Sequence, residues 1–329
     1  MDPAAGIPKG SRFDVVGLGE SMLTLFRDAG TSGFSWDISG AESNVVRNCA
    51  ALGLRTSWVG RLGTGVAGPM VNDVISGSGV DTSGVTFSED APTGLMLKGP
   101  LGMEPRVQYY RRFSAASQLS PTLVDFPRCL DTAVLHMTGI TLALSDSCRE
   151  LVLALLDTPA SALRSFDLNW RPALWPSEIP GELLAEVANR ADIVFVGLDE
   201  ADAVWGLSTP SDVRATLDRP RHLVVKDGAN GVHTFVDGAI HFEPALRGTV
   251  IDPIGAGDAF AAGFLYGIVN NPDDLQRCQR LGHIVAMSAL TSPNDVGRVP
   301  DWEAINRMLD LAPPDWASLV YTAAPLPDG

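Results

Sequence analysis

Asp252-Pro253-Ile254-Gly255-Ala256-Gly257-Asp258-Ala259-Phe260 is the stretch on which the reading of this chain turns. Thr249-Val250-Ile251 before it looks extended, and Ala261-Ala262-Gly263-Phe264-Leu265 after it looks helical. Three small residues therefore stand where a loop becomes a helix. The first N–H groups of a helix have no intrahelical acceptor and carry partial positive charge. Gly255 and Gly257 would let an anion approach them closely. Asp258 falls in the first helical turn, facing whatever the loop holds. An anion hole beside a carboxylate suits phosphoryl transfer to a hydroxyl. Gly-Ala-Gly could also serve only to pack a helix on a sheet, with Asp258 as its cap, but the full string favours the chemical reading.

The string resembles the C-terminal signature of the ribokinase-like (PfkB) carbohydrate kinases, D-[TP]-x-G-A-G-D-x-F, and matches it at every position. The resemblance implies that Asp258 is the catalytic base and that the Gly255, Ala256 and Gly257 amides form the anion hole. It implies ATP and Mg2+, with a monovalent-cation (K+) region near Asp252. It also implies a three-layer α/β/α fold with a mainly parallel central sheet and a small β-sheet lid.

Composition sets the outer limits. The chain has 329 residues, 45% of them hydrophobic, enough for one large α/β domain. No run of about 18 apolar residues suggests a membrane span. A net charge of −15 argues against nucleic acid or an anionic membrane as partner. An anionic substrate would then need local cations. Cys49, Cys129, Cys148 and Cys278 show no C-x-x-C spacing and are expected as reduced thiols in a cytoplasmic protein. The five histidines lack metal-ligand spacing. Residues 1–12 are expected as a flexible polar leader and 311–329, with four prolines, as a loosely packed tail. The kinase domain is expected over 13–310, with lid segments at about 20–40 and 93–113.

Phe13-Asp14-Val15-Val16-Gly17-Leu18-Gly19 reads as a buried strand running into a glycine turn. Met22 breaks the dinucleotide pattern G-x-G-x-x-G there. That pattern occurs literally from Gly63 to Gly68, but no acidic residue follows at ribose distance. No G-x-x-x-x-G-K-[ST] is present, which excludes a P-loop kinase. Leu23 to Ile38 looks irregular and extended. Val45, Val46, Cys49 and Leu52 fall on one face of a helix, and Gly53 suits its C-terminal end. Ser39-Gly40-Ala41-Glu42-Ser43-Asn44 resembles the family's G-G-x-x-x-N, with Ser39 for the first Gly, and puts Gly40 and Asn44 near sugar hydroxyls. Gly65 stands where the family has Asp.

Thr93–Lys98 and Arg106–Arg112 flank Gly99-Pro100-Leu101-Gly102 and read as a hairpin. Tyr109 and Arg111 share one face of it. Tyr109-Tyr110-Arg111-Arg112-Phe113-Ser114 resembles the lid strand of 2-keto-3-deoxygluconate kinases, where the Tyr and Arg contact a sugar acid. From about Val134 strands and helices alternate, which implies a parallel sheet covered on both faces. Asp167-Leu168-Asn169-Trp170-Arg171 resembles the same subgroup and the fructokinases. It places Asn169 near phosphates and Arg171 near the acid end of the substrate. Gly197-Leu198-Asp199-Glu200 resembles the family's N-x-x-E, with Gly197 for Asn; Glu200 would order magnesium through water. Lys226-Asp227-Gly228-Ala229-Asn230-Gly231 resembles K-x-G-x-x-G, placing Lys226, Gly228 and Gly231 at the nucleotide. The resemblance thus predicts an ATP-dependent kinase of a sugar acid, with a neutral-sugar kinase or a non-catalytic binding protein as alternatives. An exposed lid edge would be covered in a homodimer.

Overall fold

Ile193–Val196 is an unbroken apolar run, Val134–Met137 is interrupted only by His136, and every residue in both is buried. Strands of that kind belong inside a parallel sheet with both faces covered. The computed structural model describes residues 12–27, 33–99, 107–175 and 179–322. In chain order its strands are β1 Phe13–Leu18, β2 Met22–Arg27, β3 Phe34–Ser39, β4 Thr56–Val59, β5 Arg61–Gly63, β6 Thr86–Ser88, β7 Leu95–Lys98, β8 Val107–Tyr110, β9 Thr132–Thr138, β10 Leu163–Asp167, β11 Ile193–Gly197, β12 His222–Asp227, β13 Gly231–Val236 and β14 Ala239–Pro244.

The central sheet runs β14-β13-β12-β11-β10-β9-β1-β4. From β4 to β12 all neighbours are parallel; β13 and β14 continue the sheet antiparallel. Alternate residues feed two cores. Val194 and Val196 pack with Leu151, Leu155 and Leu184 on one face. Ile193 and Phe195 pack with Val45, Phe260 and Phe264 on the other. The result is the parallel sheet covered on both faces that the alternation of strands and helices predicts, in the three-layer α/β arrangement that the family resemblance implies. The helix face Val45, Val46, Cys49 and Leu52 is buried, and Gly53 ends that helix at φ +101°. All four cysteines are free and buried.

A second sheet, β3-β2-β7-β8, stands apart from the first. The hairpin turn expected at 99–102 lies mostly outside the described residues. Leu23–Ile38 departs from expectation: its described residues are the antiparallel strands β2 and β3, paired from Met22↔Ser39 to Arg27↔Phe34. The buried positions there include polar Thr24 and Ser39, whose hydroxyls hydrogen-bond at 2.9 Å. The usual apolar alternation is therefore absent from the sequence.

Two further expectations need correction. Thr249–Ile251 is not a strand, so Gly255 does not follow one. Val250 and Ile251 are exposed, and the Ile251 N–H donates to the Leu290 carbonyl rather than to a sheet neighbour. β-branched composition without a pairing partner does not make a strand. The tail is packed rather than loose as far as Thr322. Trp316, in the helix Pro313–Ser318, is wholly buried, and its indole N–H donates to the Pro244 carbonyl at 2.9 Å.

Candidate active site

The parallel strands end on one side, beneath the second sheet, around a cavity of about 950 Å³. Glu20 follows β1, Asn169 and Arg171 follow β10, Glu200 follows β11, and Lys226 closes β12; all five line it. Ligands of open α/β sheets bind at the carboxyl ends of strands, where the chain order reverses. Here β1 has β4 on one side and β9 on the other.

Asp258 sits in the first turn of the helix Ala256–Asn270. Gly255 precedes that helix with φ +83°, a left-handed conformation that favours glycine. A Cβ there would run into the Asp295 backbone carbonyl. The first bond onto this turn is from Ala259 N–H to the Gly255 carbonyl at 2.9 Å. The amides of Gly257 and Asp258 lie ahead of it without an intrahelical acceptor, as an anion site requires, whereas the Ala256 N–H turns back to the Pro253 carbonyl at 3.4 Å. Asp252 shapes the approach, its Oδ1 accepting from Ile254 N–H at 2.9 Å.

Two asparagines hold the Asp258 carboxylate. Asn44 Nδ2 donates to Oδ2 at 2.9 Å, and Asn169 Nδ2 lies 3.3 Å from Oδ1. Burial pushes the Asp258 carboxyl up to about 7; the Asn44 hydrogen bond and Arg171 oppose this, while Asp167 and Asp295 reinforce it. Such a carboxylate can accept a hydroxyl proton near neutral pH.

Lys226 stands over the glycine loop: a Cβ on Gly257 would lie 3.4 Å from its Nζ. Nζ donates to Asp167 Oδ2 at 3.0 Å. Burial works against this ammonium, but Asp167 and Glu200 keep its proton affinity raised. Gly228, in the turn after β12, and Gly231, at the start of β13, both line the cavity.

Glu200 accepts from Trp170 N–H at 2.8 Å and from Gly197 N–H at 2.7 Å, one through each oxygen. A Cβ on Gly197 would meet the Asp199 and Glu200 side chains in their present positions. No group of three or more His, Cys, Asp or Glu side chains forms a metal cage among the described residues. Each Glu200 oxygen accepts one backbone N–H, and the side chain lines the cavity. That fits a magnesium ion held mainly by phosphates and water, as is usual for this ion.

The second sheet closes the other side. Tyr109 and Arg111 both line the cavity, with the Arg111 guanidinium 5.6 Å from the Tyr109 ring centre. Arg111 is already paired: Nε donates to Glu20 Oε2 at 2.7 Å, and Nη2 contacts the same oxygen. Arg171 is half exposed, with Nη1 donating to the Trp170 carbonyl at 2.9 Å and lying 3.9 Å from Glu200. Gly40 lines the cavity with its backbone packed on Glu20 and Ser21. A Cβ on Gly65 would meet nothing, so no side-chain role survives there.

Sequence reasoning assigned no role in this region to Asp167 or Lys98. It also expected a monovalent cation near Asp252, where the structure places the ammonium of Lys98, 3.2 Å from Asp252 and 2.6 Å from Asp295. The one available signal was a lysine at an inward strand position after Met96.

The profile described as pfkB family carbohydrate kinase matches residues 15–302. The chain belongs to that family of carbohydrate kinases. A 2-dehydro-3-deoxygluconokinase of Bacillus subtilis (strain 168) is 32% identical to the kinase over 91% of this chain and 96% of its own length. Fructokinase-1 of Oryza sativa subsp. japonica is also 32% identical, over 79% of this chain and 84% of its own. The crystal structure of a PfkB protein from Polaromonas sp. JS666 matches with a TM-score of 0.76 at 30% identity, covering 86% of this chain and 98% of that one. Among the described residues of the kinase, no helix is long and apolar enough to cross a membrane.

Proposed function

We propose that this carbohydrate kinase transfers the γ-phosphoryl group of ATP to a primary hydroxyl of a sugar acid, with 2-keto-3-deoxygluconate as the substrate. Relatives named for a sugar acid and for fructose are both 32% identical, the sugar-acid one over more of the chain, and the pocket adds to that comparison. The observation that carries the reading is Arg171, a half-exposed guanidinium at the cavity whose hydrogen bond goes to a neutral carbonyl and whose ion pair with Glu200 is long, at 3.9 Å. A planar guanidinium suits a carboxylate better than an ammonium does. Arg111, held by Glu20 beside Tyr109, supplies a pre-oriented part of the same cavity's wall. The Glu20 pair also favours the second reading, a neutral sugar, because it neutralises one of the two arginines.

Asp258 takes the hydroxyl proton as the oxygen attacks phosphorus, with Asn44 and Asn169 fixing its orientation. The amides at the start of the helix, with Gly257 foremost, and Lys226 stabilise charge on the transferring group. Glu200 would hold a magnesium ion through water, and the ion would supply neutralisation of the phosphate charge. The apolar floor of Leu246, Phe260, Met287 and Leu290, beside Gly228 and Gly231, receives the nucleoside.

ADP release should be measured with magnesium-ATP and a panel of keto-deoxy acids, gluconate, fructose and ribose. Preference for a keto-deoxy acid supports the reading, and preference for fructose or ribose overturns its substrate. Arg171→Ala should raise KM for the acid by about 10–10²-fold, the size of a hydrogen bond to a charged group. An equal effect on a neutral sugar would remove the carboxylate contact. The second sheet exposes Phe34, Trp36 and Tyr110, at 57%, 47% and 53%, and the turn after β8 exposes Phe113, at 74%. Pairing of two copies through this lid would cover them, and a monomer by sedimentation would rule that out.

A further inference from the structure

Lys98 ends β7, where Met96 and Lys98 point inward and Leu95 and Leu97 are half-buried. An inward position on such a strand calls for an apolar side chain, and a charge there needs partners. Lys98 has two, Asp252 and Asp295, and all three residues are buried. The partners lie 154 and 197 residues further along the chain, in the two loops that flank the anion site.

Each of these carboxylates also holds something else. Asp252 Oδ1 accepts from Ile254 N–H at 2.9 Å, just ahead of Gly255. Asp295 Oδ2 lies 3.5 Å from Asn44 Nδ2, and the same amide donates to Asp258 Oδ2 at 2.9 Å. The Asp295 carbonyl backs Gly255. One ammonium, delivered by the second sheet, therefore stands behind both the glycine loop and the base. Lys98 itself does not line the cavity.

We propose that Lys98 is a positioning residue for phosphoryl transfer, coupling the seating of the second sheet to the alignment of the Gly255–Gly257 loop and the Asp258 carboxylate. The proposal rests on the reading of Asp258 as the base. Without the ammonium, Asp252 and Asp295 are two buried like charges that repel, and the loops they anchor separate. Like charges in one site would also draw in any small cation that fits.

The test compares Lys98→Met, Lys98→Arg and Lys98→Ala with the parent enzyme. A loop displaced by about 1 Å should lower kcat of Lys98→Met by about 10²-fold while KM for the sugar stays near its starting value. Lys98→Arg should recover most of the loss. Ammonium or methylammonium should restore Lys98→Ala saturably and leave the parent unchanged. Amide exchange, measured without substrate, should rise together in 95–98 and 252–257. A folded Lys98→Met with parental kcat overturns the proposal. If Lys98→Met does not fold, Lys98→Ala in ammonium decides: restored turnover supports the proposal, and parental exchange in 252–257 with no rescue overturns it. If the parent enzyme phosphorylates no sugar, the Asp258 reading has failed. The exchange measurement still decides whether Lys98 couples sheet and loop.

Discussion

Replacing Asp258 with asparagine is expected to lower kcat by about 10²–10⁴-fold, the range for loss of a positioned general base. ATP binding should persist, because the Gly257 amide and Lys226 do not depend on that carboxylate. The pH profile should change as well. With its carboxyl pushed up to about 7 by burial, Asp258 is largely protonated below that pH. Turnover per encounter in the parent enzyme should therefore rise as pH increases through about 7, and this limb should vanish in Asp258→Asn. Stability has the opposite sign. A folded carboxyl that binds its proton more tightly than the unfolded one stabilises the fold at low pH, and that contribution is lost as pH rises through about 7. Above pH 7 the ionised, buried Asp258 weighs against folding. Asp258→Asn should then melt higher than the parent at pH 8, with the gap closing in acid. Near-parental turnover would remove Asp258 from the role of base. An unchanged pH limb would assign that limb to another group.

Gly255→Ala is expected to damage both activity and stability. The residue has φ +83°, and an L-residue in a left-handed conformation costs about 1–2 kcal/mol. The added methyl also meets the Asp295 carbonyl, a backbone atom that cannot swing aside as a side chain can. Relief of that clash moves the loop, and with it the amides aimed at the transferring group. Loss of one such donor costs about 10²–10³-fold in kcat. Gly65→Ala is the control, since its methyl meets no atom, and should be silent in both assays. Equal behaviour of the two variants would mean that the glycine loop does not hold the reacting anion.

Much of the site could be read along the chain because its chemistry is local. Gly255, Gly257 and Asp258 occupy one helix start, and the geometry of a helix start follows from the backbone alone. The buried strands announced themselves as apolar runs. β2 and β3 did not, because Thr24 and Ser39 satisfy each other inside the second sheet, and a buried polar pair looks like surface until its partner is known. Thr249–Ile251 misled in the other direction, with strand-like residues and no strand beside them.

The amino-acid sequence by itself determined the layered α/β fold, the family, and the loop that ends in Asp258. These depend on periodicity and on neighbours a few residues apart. Tertiary structure alone decided the charges around that loop. It joined Arg111 to Glu20 across 91 residues, Lys226 to Asp167 across 59, and Lys98 to Asp295 across 197. The physical reason is that a buried charge is tolerable only beside its counter-charge, and chain order carries no record of which distant loop will supply it.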